Sequence, residues 1–249
     1  MPLSYRALCS DFYINQKLAV KLDLPAGRDT VLELFERVRR GFPEMQTLKR
    51  YKDELALESP AGVWPHRWLA VRASNIRSGV VNPDDADNAY EIHRVVLETA
   101  PYFLTISPLD IEYVELLFGF DMSSRGNHDA IVADALISGS PLGNLQSPAG
   151  VRPIDFQPSF GLTLEHDAAL PIDVHFEVKT RSARQPVQDR EEPISVYVTL
   201  RAYEPAADLA DLGVVLQRLT EEGERIVTEL AVPSLLAPIR EAIAAGEYE

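Results

Sequence analysis

Two stretches in the last third of the chain alternate strictly between apolar and polar residues. Ile172, Val174, Phe176 and Val178 fall on one side of an extended backbone, and Ile194, Val196, Val198 and Leu200 repeat the pattern. Successive strand residues point to opposite faces, so this spacing predicts antiparallel strands with one buried and one wet face. Such a sheet needs a cover for its apolar side, and the chain supplies helical stripes. Val31, Leu34, Phe35 and Val38 recur at helical spacing, as do Ala89, Ile92 and Val96. The expected class is therefore α+β, a mainly antiparallel sheet packed on helices.

The elements come in an order that runs twice. A first strand is expected where Leu18, Val20, Leu22 and Leu24 alternate with polar neighbours, ended by Pro25 and Gly27. A helix capped by Asp29 or Thr30 follows and stops at Gly41 and Pro43. Short strands are expected over 47–52 and 54–58, then one strand over 68–76. Asn82 to Asp85 opens a second helix that breaks at Pro101. The order then restarts with a strand over 112–120, a helix over 128–137 and a loop rich in Gly and Pro over 138–153. Strands over 154–165, 172–181 and 194–203 lead to terminal helices across 206–245, broken at Pro233.

Residues 1–105 and 106–249 thus read as two similar β-α-β(3-4)-α halves, alike in order but not residue by residue. This order resembles the TATA-binding-protein-like (TBP-like) and helix-grip topologies, in which a curved sheet packs one face on long helices. The resemblance implies an arrangement, not an activity. It would leave the second face of the sheet for a ligand, a partner or another copy of the chain.

Charge separates the same halves. Residues 1–105 hold 14 acids and 14 bases; residues 106–249 hold 24 acids and 10 bases, the whole of the net −14. Recognition of nucleic-acid phosphates needs a basic surface that this balance does not supply, so a nucleic-acid partner is disfavoured. No apolar run is long enough to cross a bilayer, and no membrane partner is expected. The single cysteine, Cys9, allows no internal disulfide, which fits a cytoplasmic protein. Nineteen Arg against five Lys fits a bacterial genome rich in G and C.

Three clusters carry possible chemistry. Gly126-Asn127-His128-Asp129 resembles a signature of the calcineurin-like metallophosphoesterases. That family also needs a Gly-Asp pair, which the chain lacks, and an upstream Asp-X-His. The chain's Asp-X-His is Asp173-Val174-His175, downstream. The string instead reads as a helix start, with Ser124 or Asn127 as cap and Asp129 in the first turn.

The second cluster is His166, Asp173 and His175, which a hairpin would bring together as imidazole and carboxylate ligands for a divalent metal. Its alternative is the solvent face of that hairpin. The third is Trp64-Pro-His-Arg-Trp68, where Trp64, His66, Arg67 and Trp68 are candidates for an interaction surface. The alternative is a loop folded over its own core.

No catalytic set, nucleophile elbow, phosphate-binding loop or dinucleotide fingerprint is present, so no catalytic residue and no cofactor is expected. The apolar elements outside the regular alternation, Tyr102–Ile106, Leu116–Phe120 and the final helix, point to a non-enzymatic binding or protein-interaction module, assembled as a homo-oligomer. The alternative is a small-molecule or metal-dependent enzyme with a cleft between sheet and helices. Nucleic-acid binding stands third.

Overall fold

Strand β6 (Ile111–Ser123) buries Val114, Leu116, Phe118, Phe120 and Met122 on one face, and β1 (Asp11–Val20) does the same with Phe12, Ile14, Leu18 and Val20. These two strands lie side by side at the middle of one nine-stranded antiparallel sheet. The remaining strands are β2 (Thr47–Arg50), β3 (Glu54–Glu58), β4 (His66–Arg72), β5 (Asn75–Val81), β7 (Ser159–Leu164), β8 (Ile172–Lys179) and β9 (Pro193–Tyr203). Across the sheet the order is β2-β3-β4-β5-β1-β6-β9-β8-β7. The computed structural model describes residues 5–24, 27–146, 148–165, 170–181, 192–205 and 207–246.

One face of this sheet is covered by helices. Helix α1 (Arg28–Gly41) packs on α2 (Ala86–Phe103), which crosses β5 and β1. Helix α4 (Leu212–Ile226) crosses β6 and β9. Tyr90 of α2 donates to Glu224 of α4 (3.1 Å), tying the two covering helices together. Helix α3 (His128–Ile137) packs on α5 (Ala237–Ala245). The aromatic centre of the core is a trio of Tyr5, Phe12 and Phe120, with centroids 5.0–5.3 Å apart. Among the described residues no helix is long and apolar enough to cross a membrane.

The expected α+β class and the covered antiparallel sheet agree with this architecture, but several boundaries differ. The first strand begins at Asp11 and ends at Val20, and Leu22 is exposed. Gln16 is buried on the covered face and Tyr13 lies on the uncovered one, which hides the period-2 signal. The expected strand over 68–76 is a hairpin of β4 and β5 turning at Ala73 and Ser74, with Arg72 opposite Asn75. Neither turn residue is a Gly or Pro that would mark it. Strand β7 is confined to 159–164 within the expected 154–165.

Helix α1 has Gly27, not Asp29 or Thr30, at its N-cap. Neither proline breaks its helix. Pro101 sits in the last turn of α2, where little of the backbone ladder remains to be lost, and its carbonyl accepts from Ile106 (2.8 Å). Pro233 lies within a π-helical stretch, Val227–Leu236, that joins α4 to α5 and ends with Ala237 N–H donating to the Val232 carbonyl. In a π-helix bonds span five residues, so the wider turn absorbs a residue with no N–H to give.

Candidate functional site

Among the described residues helices cover one face of the sheet only, and the residues of the other, uncovered face are read directly from the strand register. One row crosses Glu58, Trp68, Gly79, Asn15, Leu117, Thr199, His175 and Gly161. The neighbouring row crosses Ala70, Arg77, Lys17, Glu115, Arg201 and Asp173. A face left open on an antiparallel sheet is usually polar; this one combines polar groups with aromatic rings that lie down on the backbone. The Tyr13 ring rests on Gly119, where an added Cβ would stand 2.1 Å from the ring, and Trp68 rests on Gly79 in the same way. Tyr113 and Tyr203 meet edge to face at 5.5 Å further along.

Between these rings the face dips into a recess of about 240 Å³ over β4, β5, β1 and β6. Trp68 and Leu117 supply its apolar lining, and Lys17, Arg72 and Arg77 supply charge. Lys17 and Arg77 stand directly opposite each other on adjacent strands, a like-charge placement that costs stability. Arg77 is drawn aside by Glu54 and by the face of Trp68, 5.7 Å from the ring centroid. Arg72 also reaches Glu54, with Nε donating over 2.7 Å. Lys17 donates to the Tyr113 hydroxyl and sits 4.9 Å above that ring. Glu115 is taken by Arg201. Asn15 Oδ1, Asn75 Oδ1 and Arg77 Nε are shielded from solvent there without any hydrogen-bond partner.

Beneath the recess, on the covered side, Ser78, Gln16 and His93 form a sealed polar group. Ser78 Oγ lies 3.0 Å from Gln16 Oε1 and 2.8 Å from His93 Nδ1. Burial pushes the imidazole down to about 3. All three are cut off from water, so the Ser–His contact has no route to a substrate.

The sequence candidates scatter. Trp64, His66 and Trp68 stand on or beside the uncovered face, Trp64 mostly exposed and 6.4 Å from His66. Arg67 points the other way and is buried, donating to Glu44 (2.7 Å) and Asn88 and lying 5.5 Å from the Phe42 ring. Asp173 and His175 share the uncovered face of β8, Asp173 accepting from Thr163 (2.6 Å) and His175 leaning over Gly161. His166 lies outside the described residues, and among those described no three His, Cys, Asp or Glu side chains come together to hold a metal.

The Gly126–Asp129 string is structural. Asn127 caps α3 by accepting from Asp129 and Ala130, and buried Asp129 accepts from Phe156 N–H (2.9 Å) and Thr180. Sequence reasoning passed over Lys17, Asn15, Asn75 and Arg77. The signal that would have found them is the pair of strand glycines, Gly79 and Gly119, which mark close approach on a sheet.

No family model matches the chain, and no curated protein matches it. Among solved structures it is similar to the crystal structure of the di-domain ARO/CYC BexL from the BE-7585A biosynthetic pathway. The two share 10% identity over 93% of this chain and 98% of that one, with a TM-score of 0.20. A likeness this slight carries no argument.

Proposed function

We propose that this protein is a non-enzymatic binding protein that holds a small molecule against the uncovered face of its sheet. The observation that supports this most is the set of unpartnered polar atoms, Asn15 Oδ1, Asn75 Oδ1 and Arg77 Nε, beside an aromatic wall in the recess. Buried polar atoms without partners cost free energy, and a ligand toward which these lining side chains turn recovers it. The carboxylates nearest the recess favour binding over catalysis. Glu54 is engaged by Arg72 and Arg77 and Glu115 by Arg201, so neither is poised as a base.

The two-half reading of the chain belongs to the same proposal. Moving outward, the order β1, β5, β4, β3, β2 is mirrored by β6, β9, β8, β7, as in a TBP-like topology shortened by one strand. The recess then sits near the pseudo-twofold between a neutral half, 1–105, and an acidic half, 106–249, which together make one unit.

The test uses tryptophan emission in a Trp64→Phe background, where Trp68 is the remaining indole. A panel of single-ring and fused-ring acids, amines and neutral compounds is titrated to millimolar concentration. Saturable change of Trp68 emission with at least one class, accompanied by a rise in Tm, is expected. Silence across every class overturns the proposal.

A second reading, assembly of copies of the chain, is favoured by exposed Leu142, Leu145, Val151 and Ile154, which lead into edge strand β7, and by exposed Phe160 within it. Light scattering tests it; a strict monomer at micromolar concentration removes it.

A further inference from the structure

We infer that the recess takes a single-ring aromatic monocarboxylate bearing a ring hydroxyl or amino group, an inference that rests on the small-molecule reading above. Charge comes first. In a chain of net −14, the recess and its immediate ion-pair partners hold four cations, Lys17, Arg72, Arg77 and Arg201, against two carboxylates, Glu54 and Glu115. The carboxylates are committed to the three arginines. Among the described residues Lys17 is held by a phenol oxygen and a ring; it stands opposite Arg77 on one neighbouring strand and opposite Glu115, itself paired with Arg201, on the other. A ligand carboxylate between Lys17 and Arg77 relieves their mutual repulsion, and an Arg77 side chain turned toward it offers its unused Nε. Glu54 and Glu115 flank the same place and oppose a more highly charged anion such as a phosphate dianion.

Shape and polarity supply the rest of the class. A recess of about 240 Å³ lies below the ~300–1,000 Å³ of drug-sized sites, which limits the occupant to about one ring with its substituents. Trp68 and Leu117 offer a flat apolar wall and a floor for that ring. Asn15 and Asn75 each leave an amide oxygen buried and unbonded; with these side chains turned toward the occupant, a ring O–H satisfies one of them and a ring NH2 can satisfy both. Benzoate alone would leave both amides unpaired, so the substituent is part of the recognition.

The probes are 4-hydroxybenzoate, benzoate, 4-hydroxybenzamide and 4-hydroxybenzylamine, each titrated into the full chain with Trp64→Phe and followed by Trp68 emission and calorimetry. Binding of 4-hydroxybenzoate is expected to be at least tenfold tighter than that of the neutral amide, with the amine weakest. Lys17→Met and Arg77→Met should each remove that preference for the acid, and Lys17→Arg should retain it. Circular dichroism establishes that each variant is folded, and Lys17→Gln replaces Lys17→Met should the latter not fold. Equal or tighter binding of the amide or amine overturns the ligand class while leaving the binding function standing. Binding by fused-ring compounds alone does the same. No binding by any probe or any panel compound overturns both.

Discussion

The indole of Trp68 lies across the backbone of Gly79, so closely that a Cβ on Gly79 would stand 2.3 Å from ring atoms Cε2 and Nε1 and 2.3 Å from Asn15 Oδ1. Gly79 therefore shapes the recess by what it lacks. Its absent side chain lets the ring form a wall instead of standing off the sheet. Gly79→Ala is expected to push Trp68 outward, lower stability by about 1–3 kcal/mol in urea unfolding, and shift Trp68 emission toward that of an exposed indole. An unchanged emission maximum would show that the ring does not depend on the glycine.

The opposite face has its own close approach. Gly223 of α4 sits over Phe118, and a Cβ there would lie 2.4 Å from the ring. Alanine is the better helix former by about 0.8–1.0 kcal/mol, which on an exposed helix would make Gly223→Ala stabilising. Here Phe118 is only 1% exposed and cannot yield. Overpacking is expected to win, leaving Gly223→Ala less stable than Gly79→Ala, whose ring can swing into solvent. A rise in the urea midpoint of Gly223→Ala would contradict this packing.

Legibility from sequence followed the physics of each element. Strands β8 and β9 and helix α3 were plain because the apolar positions of the strands, and the Asn cap of the helix, match their local periods. The β4–β5 hairpin was not, because Ala73-Ser74 holds neither the Gly nor the Pro that marks a tight turn most strongly. At the site, Trp68 stood out by residue type, whereas Lys17, Asn15, Asn75 and Arg77 look like ordinary wet-face residues until pairing sets them side by side. Strand register, which the sequence does not display, is what brings two cations together.

His93 gives the fold a pH dependence. Its folded value, pushed down to about 3 by burial, lies below the ~6.5 of an unfolded histidine. The unfolded chain therefore binds a proton that the folded chain refuses. The stability at stake is fully present above about pH 6.5 and drains away as pH falls from there toward 3, by up to on the order of 4–5 kcal/mol. In His93→Gln, a neutral side chain that can still meet Ser78, the slope of unfolding free energy between pH 6.5 and 4 should flatten. An identical slope in both proteins would place the proton uptake elsewhere.

Asp129 holds the chain after α3 in place by accepting from the Phe156 amide and the Thr180 hydroxyl. Asp129→Ala strands both donors and is expected to cost about 2–4 kcal/mol. Asp129→Asn keeps an acceptor oxygen and should cost less. Amide exchange at Phe156, measured by mass spectrometry, should accelerate in both variants and more in Asp129→Ala; unchanged exchange would refute the contact.

Arg67 and Trp64 share one short loop-and-strand segment but are predicted to behave in opposite ways. Trp64 is 58% exposed, and Trp64→Ala should change stability by no more than about 0.5 kcal/mol. Arg67 is buried between β4, the end of α1 and the start of α2. Its guanidinium joins Glu44 on one side to Asn88 on the other. Breaking a fully buried pair by removing one partner costs about 3–5 kcal/mol. Glu44 keeps part of its contact with water, so Arg67→Ala should cost somewhat less, about 2–3 kcal/mol. Arg67→Met keeps the packing on Phe42 while losing the charge, and it separates the two contributions. Urea unfolding of the three variants should rank Arg67→Ala lowest, Arg67→Met between, and Trp64→Ala with the parent. If Trp64→Ala proved the most damaging, the indole would be the anchor of this segment and the guanidinium its accessory.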